Sequence, residues 1–334
     1  MINRQLKLAK RPVGRVSIDD FSYEESAPPS VEVGAILART LFLSVDPTNR
    51  VWMKDVPQYM PPVAIGEVMR SGGLAEVVES RIDGFEPGDL VFGMTGWQDY
   101  SLLRQGGALG LAKIPSVPGI ASEKFLGVCG PNGVTAYAGI IDVAAVEEGD
   151  TLVVTAAAGS VGSAAGQIAK LRGAHVVGIA GGPEKARLLV DHYGFDAGVD
   201  YRAGDFREQL KAATPDGVDV LFENVGGEIM EAVIVRMNPL GRIALCGMIS
   251  VYEGRGTTTY DWAPIMAKRL KVQGFNLIDC GNLWPRAARE LAQWVGEGKI
   301  KADETIVDGL ENAPEALNML FEGKNSGKML VRVA

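Results

Sequence analysis

The stretch that decides the fold reads Thr151-Leu-Val-Val-Thr-Ala-Ala-Ala-Gly-Ser-Val-Gly162 and continues as Ser163-Ala-Ala-Gly-Gln-Ile-Ala-Lys170. A short β-branched run gives way to small residues, after which apolar residues recur with helical spacing. This order predicts a strand, a tight turn and a helix, with Ala157, Gly159 and Gly162 forming the pattern A-x-G-x-x-G. Such small residues allow the backbone N–H groups of a helix N-terminus to approach a diphosphate. The pattern also fits an ordinary turn before a helix, and the residues that follow it distinguish the two interpretations.

The residues that follow complete a strand–helix–strand unit. His175-Val-Val-Gly-Ile-Ala180 is a second apolar run, and it ends about 20 residues after the glycine turn, as such a unit requires. NAD-selective sites place Asp or Glu at the end of this strand, where the chain has Gly181-Gly-Pro183. Without a carboxylate, nothing there repels a 2′-phosphate, and Lys185 offers a positive charge, with Arg187 as a second candidate. The sequence therefore favours NADP over NAD, although Lys185 also fits a solvated lysine in a first helical turn.

The composition is that of a compact enzyme rather than of a nucleic-acid or membrane protein. The chain has 334 residues, enough for about two domains, and 47% of them are hydrophobic. Its formal net charge of −8 argues against nucleic acid or an anionic membrane as a partner. No apolar run reaches the roughly 18 residues of a membrane span, and no export signal is evident, so we expect a cytoplasmic protein.

Cysteine and histidine are too few and too scattered to predict a metal site. Cys129, Cys246 and Cys280 form neither a C-x-x-C pair nor a disulfide framework. His175 falls in a predicted strand and His192 near the end of a predicted helix, and structural roles fit both. We therefore expect no metal.

The texture of the chain changes near residue 124 and again near residue 299. Short strands separated by Gly and Pro run from Val31 to Pro115 and predict a partly open β-barrel. From Lys124, strands and helices alternate, which predicts an α/β fold with the doubly wound parallel sheet of a Rossmann domain. Further strands are predicted at 218–222, 241–246 and 270–275, and helices at 184–192, 228–237 and 284–295. The predicted domains are a β-barrel substrate domain at 1–125 with 299–334, and a dinucleotide-binding domain at 126–298.

Six short motifs carry a resemblance to a known family. They are Ser44-Val-Asp-Pro47, Ala156-Ala-Ala-Gly-Ser-Val-Gly162, Gly166-Gln-Ile-Ala-Lys170, Phe222-Glu-Asn-Val-Gly-Gly227, Gly241-Arg-Ile-Ala-Leu-Cys-Gly-Met-Ile-Ser250 and Gly323-Lys-Asn-Ser-Gly-Lys328. In this order, over nearly the full length, the chain resembles the zinc-independent medium-chain dehydrogenases/reductases. Within them it is most similar to the NADPH-dependent alkenal/one oxidoreductases, the leukotriene B4 12-hydroxydehydrogenase or prostaglandin reductase subfamily. Zinc-dependent relatives carry Gly-His-Glu where this chain has Ile65-Gly-Glu-Val68, and the four cysteines of their structural zinc lobe are missing.

The resemblance implies a set of NADP contacts in this sequence. For the diphosphate these are Gly159, Ser160, Val161 and Gly162, and for the 2′-phosphate end Lys185 and Tyr201. For the nicotinamide half they are Asn224, Cys246, Gly247, Met248, Ile249, Ser250, Phe275, Asn276 and Leu277, with Asn325 reaching across from the C-terminal part. One departure bears on the cofactor: relatives have Ser-Asp-Glu-Lys where this chain has Gly182-Pro-Glu-Lys185, so a serine hydroxyl that would help to bind the 2′-phosphate is absent.

A site without zinc favours a conjugated acceptor over a saturated alcohol or ketone, because no strong Lewis acid polarises an isolated carbonyl. In an α,β-unsaturated aldehyde or ketone, hydride adds to the β-carbon and charge spreads as an enolate, so hydrogen-bond donors and one proton suffice. Tyr252 is the first candidate donor, because a tyrosine with a pKa of about 10 stays protonated at neutral pH. Tyr59 is the second. Each also fits a residue that only packs on the wall of the site.

Two alternatives stay open at this point. A quinone reductase would use the same cofactor and a similar metal-free cleft, and assays with alkenals, enones and quinones separate the two. A cofactor-binding protein without turnover would bind NADPH and reduce no conjugated acceptor. Arg50, Arg70 and Arg255 are candidate partners for a carboxylated lipid, but the sequence identifies no physiological acceptor.

The resemblance also implies a homodimer. Relatives pair the last strands of their nucleotide domains into one continuous sheet, and Gly241 to Gly247 and Leu270 to Phe275 would supply that edge here. An exposed apolar edge strand needs a cover, which a second copy provides.

Overall fold

The computed structural model describes residues 1–56, 58–106, 109–254 and 260–334, so Pro57 and Arg255 lie outside the described residues. The chain divides into two compact units, Met1–Gly127 with Glu304–Ala334 (the first unit) and Val128–Asp303 (the second unit). The segment before Asp303 is tied to the second unit, because the Gln167 side chain accepts from the Lys301 N–H at 2.6 Å and donates to the Lys301 carbonyl at 3.1 Å.

The described residues contain the following strands and helices in chain order. The strands are β1 Asn3–Leu8, β2 Phe21–Ser26, β3 Ile36–Val45, β4 Gly73–Ser80, β5 Leu90–Gly93, β6 Tyr100–Leu103, β7 Ala112–Lys113, β8 Thr151–Val154, β9 His175–Ala180, β10 Ala197–Asp200, β11 Val218–Glu223, β12 Met237–Leu245, β13 Lys271–Gly274, β14 Glu304–Asp308 and β15 Lys328–Arg332. The α-helices are α1 Pro47–Trp52, α2 Pro131–Ala138, α3 Ser160–Leu171, α4 Pro183–Asp191, α5 Phe206–Ala213, α6 Gly227–Arg236, α7 Ala263–Lys268, α8 Trp284–Gly296 and α9 Ala313–Glu322.

The second unit is built on a parallel sheet in the order β10-β9-β8-β11-β12-β13. Leu152, Val153 and Val154 of β8 are completely buried, as expected for a strand in the middle of a parallel sheet. The strand order reverses between β8 and β11, and ligands bind doubly wound sheets at the carboxyl ends of the strands at such a point. The predicted Rossmann sheet is confirmed.

The first unit contains a mixed sheet in the order β14-β15-β3-β4-β5-β7, with β6 also paired to β3. β3 pairs with β15, β4 and β6, and its register with β4 shifts between Leu37 and Ala38 and again between Thr40 and Phe42. Such irregularities bend a strand and let one strand serve several neighbours. Among the described strands, β14 and β7 at the two ends do not pair, so this sheet is open rather than a closed barrel.

Two of the six sequence motifs meet in the first unit through a buried ion pair. The Lys328 ammonium lies 2.7 Å from Asp46 Oδ1 and donates to the Val45 carbonyl oxygen at 2.9 Å. Burial lowers the pKa of Lys328, while the Asp46 carboxylate opposes that shift. The pair joins the C-terminal strand β15 to the start of helix α1, which explains the motifs at residues 44–47 and 323–328 as structural elements of this unit.

Three features of the fold differ from the sequence prediction. The antiparallel pair β1–β2 was not predicted, because most of Phe21–Ser26 is exposed and offers no apolar alternation. Strand β10 was not predicted either, because it is four residues long and contains a glycine. The predicted dimer edge at residues 241–247 is wrong, because β12 pairs with β11 on one side and β13 on the other. Among the described strands of this sheet, β13 and β10 are the edges.

Two properties of the described residues bear on partners. No helix there combines the length and apolar character needed to cross a bilayer. No group of three or more His, Cys, Asp or Glu side chains within the same residues has a metal-binding arrangement.

Candidate active site

The predicted diphosphate turn lies between β8 and α3, at the carboxyl end of the sheet. Gly159 is the N-cap of α3 with an extended backbone (φ −82°, ψ 172°), so the N–H groups of Ser160, Val161 and Gly162 form the first turn of a 12-residue helix. The first N–H groups of a helix have no partner within it and attract an anion. A Cβ at Gly162 would lie 2.5 Å from the Ala156 carbonyl oxygen, so only glycine allows the turn to close this tightly.

A second cluster lies beyond the end of β9, where the sequence lacks an acidic residue. Tyr201 and Arg202 follow β10, and both side chains cover Gly181: a Cβ there would meet the Arg202 Nε and the Tyr201 ring at 2.9 Å. The Arg202 guanidinium carbon lies 5.7 Å from the centre of the Tyr201 ring. The nearby Asp200 carboxylate is hydrogen-bonded to the backbone: its Oδ1 accepts from the N–H groups of Gly182 at 2.7 Å and Arg202 at 2.9 Å.

Lys185, in the first turn of α4, belongs to the same cluster. Burial lowers the pKa of Lys185, and the positive charge of Arg202 lowers it further. Two cations that repel each other next to an exposed aromatic ring form a site that an additional phosphate would stabilise. Arg187, the second sequence candidate, is exposed on the same helix.

Arg202 is a residue that the sequence analysis missed. It stands directly after Val199-Asp-Tyr201, but its place beside Lys185 follows from strand β10, which was not predicted. A basic residue next to the predicted ribose-end tyrosine was the available signal.

The nicotinamide end is predicted at the loops after β11 and β12, and the two loops are bonded to each other. Asn224 is held on Thr155: its N–H donates to the Thr155 hydroxyl oxygen and its side-chain amide donates to the Thr155 carbonyl oxygen, each at 2.7 Å. The Asn224 carbonyl oxygen accepts from the Ile249 N–H at 3.0 Å, and the Val225 carbonyl oxygen accepts from the Ser250 N–H and hydroxyl at 3.0 and 2.6 Å. Asn224 and the 246–250 segment are therefore adjacent, as the resemblance implied.

Tyr252 closes this loop with its hydroxyl turned back onto it. The hydroxyl oxygen accepts from the Met248 N–H at 3.1 Å and lies 3.3 Å from where a Cβ at Gly247 would stand. Burial raises the pKa of Tyr252, and burial raises the pKa of the neighbouring Cys246 thiol to about 12. Both groups are therefore protonated at neutral pH, and the tyrosine hydroxyl is a donor rather than a base.

The segment after β13 forms another part of the second unit's predicted contacts. The Phe275 ring packs edge-on against Phe222, with centroids 6.2 Å apart. The Asn276 side-chain oxygen caps the following turn by accepting from the Ile278 N–H at 3.2 Å, and Leu277 begins that turn. The Asn276 side-chain oxygen is therefore engaged in this cap.

Two predicted residues, Tyr59 and Asn325, belong to the first unit. The Trp52 indole donates to the Tyr59 hydroxyl oxygen at 3.2 Å, and the Arg70 guanidinium lies 5.6 Å from the Trp52 ring. Tyr59 is 42% exposed. Asn325 is buried, and its side-chain amide donates to the Gly327 carbonyl oxygen at 3.0 Å.

The residues of the second unit fit a dinucleotide that carries an extra phosphate. The N-terminus of α3 suits a diphosphate, because Gly162 has no side chain that would separate the ligand from the backbone. Lys185 and Arg202 suit a further phosphate group. Fold and site together define a dinucleotide-binding protein with a Rossmann domain.

Comparison with known proteins supports this class and narrows it. A family model described as the N-terminal domain of oxidoreductase matches residues 4–111, and one described as zinc-binding dehydrogenase matches residues 160–294. The chain is 43% identical to the NADPH-dependent curcumin reductase of Escherichia coli over 99% of this chain and 97% of that protein. It is 39% identical to the NADP(+)-dependent 2-alkenal reductase of Nicotiana tabacum over 90% and 87% of the two chains. The crystal structure of CurA in complex with NADPH from Vibrio vulnificus superimposes with a TM-score of 0.93 at 42% identity, covering 99% of both chains.

The chain belongs to the medium-chain dehydrogenase/reductase family, in its zinc-independent branch of NADPH-dependent alkenal and enone reductases. The family resemblance predicted from the six motifs is thus confirmed. The roles of the individual site residues stay predictions.

Proposed function

We propose that this protein reduces the carbon–carbon double bond of α,β-unsaturated aldehydes or ketones with NADPH. The observation that carries the proposal is the pairing of the diphosphate turn with the Lys185–Arg202 cluster at the ends of neighbouring strands β8 and β9. The names of the relatives support the acceptor class, since they include a 2-alkenal reductase and a curcumin reductase of high coverage.

In this proposal each part of the second unit binds one part of the cofactor. The N-terminus of α3 holds the diphosphate, Lys185 and Arg202 with Tyr201 hold the 2′-phosphate, and Asn224 with residues 246–250 lines the nicotinamide half. The bound cofactor supplies the hydride. The task of the protein is then to orient the acceptor, to stabilise the charge on its oxygen and to deliver a proton.

Tyr252 is proposed as the donor to the acceptor oxygen, with Tyr59 as the second candidate. Tyr252→Phe is expected to lower kcat by about a hundredfold, the usual range for loss of one proton donor, while the NADPH Kd stays within about twofold. Steady-state assays of NADPH oxidation with a 2-alkenal measure kcat. The matched control is Tyr23→Phe, because Tyr23 lies exposed on strand β2. Wild-type kcat in Tyr252→Phe combined with a large loss in Tyr59→Phe would reassign the role to Tyr59.

The acceptor class is tested by NADPH oxidation with a 2-alkenal, an enone and a quinone under the same conditions. We expect the highest kcat/KM for the alkenal or the enone. A large preference for the quinone would make the protein a quinone reductase. NADPH binding without oxidation in the presence of any of the three would make it a binding protein without turnover.

The two units are proposed to have different roles, the first (predicted as 1–125 with 299–334) as substrate domain and the second (predicted as 126–298) as dinucleotide-binding domain. The partner of the site is then a small α,β-unsaturated carbonyl compound, with no role for nucleic acid or membrane. We retain the cytoplasm as the proposed location.

A homodimer is proposed through the edge of β13. This strand pairs only with β12 among the described strands. Val235 in α6, Leu240 in β12, Trp262 at the N-cap of α7 and Met266 in α7 are each exposed by 64% or more. An unpaired edge beside apolar side chains favours association with a second copy. Light scattering at micromolar concentration is expected to give twice the chain mass, and the mass of one chain would overturn the proposal.

A further inference from the structure

Glu223, the last residue of β11, is a completely buried acid that the proposed reaction does not use. It belongs to the motif Phe222-Glu-Asn-Val-Gly-Gly227, of which only Asn224 has been given a role. Acidic side chains are rarely buried without a paired charge, because desolvation of a carboxylate is costly. The position therefore calls for a physical explanation.

One carboxyl oxygen of Glu223 organises the turn that follows it. Oε1 accepts from the Val225 N–H at 2.5 Å, from the Gly226 N–H at 2.7 Å and from the Thr155 hydroxyl at 3.0 Å. The turn needs such support because Gly226 and Gly227 have φ of +80° and +58°, a conformation that no regular helix or strand maintains. The side chain thus joins the ends of the two strands between which the sheet order reverses.

This turn is hydrogen-bonded to the loops after β11 and β12, which form the predicted nicotinamide end. The same Thr155 hydroxyl that donates to Glu223 accepts from the Asn224 N–H. The Glu223 carbonyl oxygen accepts from the N–H groups of Cys246 and Gly247 at 2.9 and 3.0 Å. A shift of the Glu223 side chain would therefore move Asn224 and the 246–250 segment together.

The other carboxyl oxygen, Oε2, is buried and has no hydrogen-bond partner among the described residues. Burial raises the pKa of Glu223 to about 7, although its hydrogen bonds to the turn act in the opposite direction. The described groups that act on Glu223 are the N–H groups of residues 224–226, the Thr155 hydroxyl and, electrostatically, the Cys246 thiol. Near neutral pH the ionised carboxylate is thus close in free energy to the neutral acid. The cost of the ionised form is the negative charge on the unpartnered oxygen.

We propose that Glu223 is the positioning residue of the nicotinamide end, and that its neutral form holds Asn224 and the 246–250 segment in the arrangement that binds this half of NADPH. The inference rests on the proposed cofactor but not on the proposed acceptor. Loss of the proton places a buried negative charge on a carboxyl group whose Oε1 has three donors but whose Oε2 has none among the described residues. A movement of the side chain that brings Oε2 to a donor or to water then loosens the turn at Val225–Gly226 and weakens binding of the nicotinamide half alone.

The test compares two ligands by calorimetry: NADPH, and 2′-phospho-ADP-ribose, which has the same adenosine, 2′-phosphate and diphosphate but no nicotinamide. The 2′-phosphate titrates with a pKa of about 6 and is the same in both ligands, so the ratio of the two Kd values cancels its effect. In the wild type we expect the ratio Kd(NADPH)/Kd(2′-phospho-ADP-ribose) to rise about tenfold between about pH 6.5 and about pH 8.5. The thiol of Cys246 and the hydroxyl of Tyr252 do not contribute, since burial raises the pKa of both above their ordinary values.

Variants at Glu223 and at a second acid of the same strand make the test specific. Glu223→Gln keeps an uncharged acceptor, so it should show the low-pH ratio at every pH, while Glu223→Ala should raise the ratio about tenfold at every pH with Kd(2′-phospho-ADP-ribose) unchanged. The matched control is Asp219→Asn, because Asp219 is bonded to the Thr151 N–H and to Asn238 near the other end of β11. That variant should retain the wild-type pH profile.

Stability gives a readout that needs no ligand. The pKa of Glu223 is about 7 in the folded protein against 4.5 as the ordinary value, so folding favours the protonated form. Its contribution to stability is therefore complete below about pH 4.5 and is lost as the pH rises toward about 7. Across that window the free energy of unfolding should fall more steeply in the wild type than in Glu223→Gln.

Two results would overturn the inference: a wild-type ratio that does not change with pH, or a Glu223→Gln variant that keeps the wild-type pH dependence. If Glu223→Ala fails to fold, the Gln profile alone decides. Because both ligands bind without an acceptor, failure to reduce any alkenal would refute the proposed function and leave this inference standing.

Discussion

Replacing Gly162 by alanine is expected to lower the affinity for NADPH by about a hundredfold, the usual effect of misplacing a binding group by about 1 Å. The new Cβ would stand 2.5 Å from the Ala156 carbonyl oxygen and 2.9 Å from the Ala157 Cα. Both atoms are backbone, so α3 must move away from the turn and take its first N–H groups with it. The same strain should reduce the free energy of unfolding by about 1–3 kcal/mol. Calorimetry with NADPH and urea denaturation measure the two effects.

The control for this prediction lies in the same turn. A Cβ at Gly159 would meet only the Ala156 carbonyl oxygen, at 3.3 Å, and the backbone there is already extended with φ −82°. Gly159→Ala should therefore leave the free energy of unfolding within about 0.5 kcal/mol of the wild type. Equal destabilisation by the two substitutions would show that the close approach at Gly162 is not what shapes the turn.

Removal of the two cations beyond β9 is expected to abolish most of the discrimination between NADPH and NADH. Lys185→Ala and Arg202→Ala should each reduce the ratio of kcat/KM values for NADPH over NADH by about 10–100-fold, since a hydrogen bond to a charged group contributes about 1.5–3 kcal/mol. The value of kcat/KM should fall for NADPH only, because NADH has no 2′-phosphate. Binding of 2′,5′-ADP against 5′-AMP, measured by calorimetry, reports the same discrimination without turnover.

Arg187→Ala is the matched control, because Arg187 lies on the same helix as Lys185 and carries the same charge but is exposed. We expect its cofactor preference to equal that of the wild type. The preference of the wild type should also weaken as salt is added, since screening acts on charges near the surface. A larger effect of Arg187→Ala than of Arg202→Ala would contradict the placement of the 2′-phosphate.

The second unit shows how far local sequence reasoning reaches. The turn at 156–162, the strands β8, β9 and β11 and the helices α3 and α4 follow from local features: β-branched runs, helical periodicity, and small residues where backbone must approach backbone. Each of these signals lies within a few residues of the element it specifies. That is why these elements were predictable from the sequence.

The two residues that sequence reasoning missed have a common cause. Arg202 has its position because parallel pairing of β10 with β9 brings residue 202 over Gly181, and that pairing joins residues about twenty apart. Glu223 has its hydrogen bond to Thr155 because β8 and β11 are neighbours, although the two residues are 68 positions apart in the chain. Neither the burial of an acid nor the approach of two cations is visible in a linear pattern.

By itself, the sequence determined the fold class, the glycine turn before α3, the absence of an acid at the end of β9 and the membership of the family. The tertiary structure alone decided that Arg202 joins Lys185, that β12 is an inner strand and that a buried carboxyl supports the turn after β11. The physical reason is the range of the forces involved. Backbone propensity and periodic burial act between near neighbours in the chain, whereas desolvation, charge pairing and strand order depend on which distant segments the folded sheet brings together.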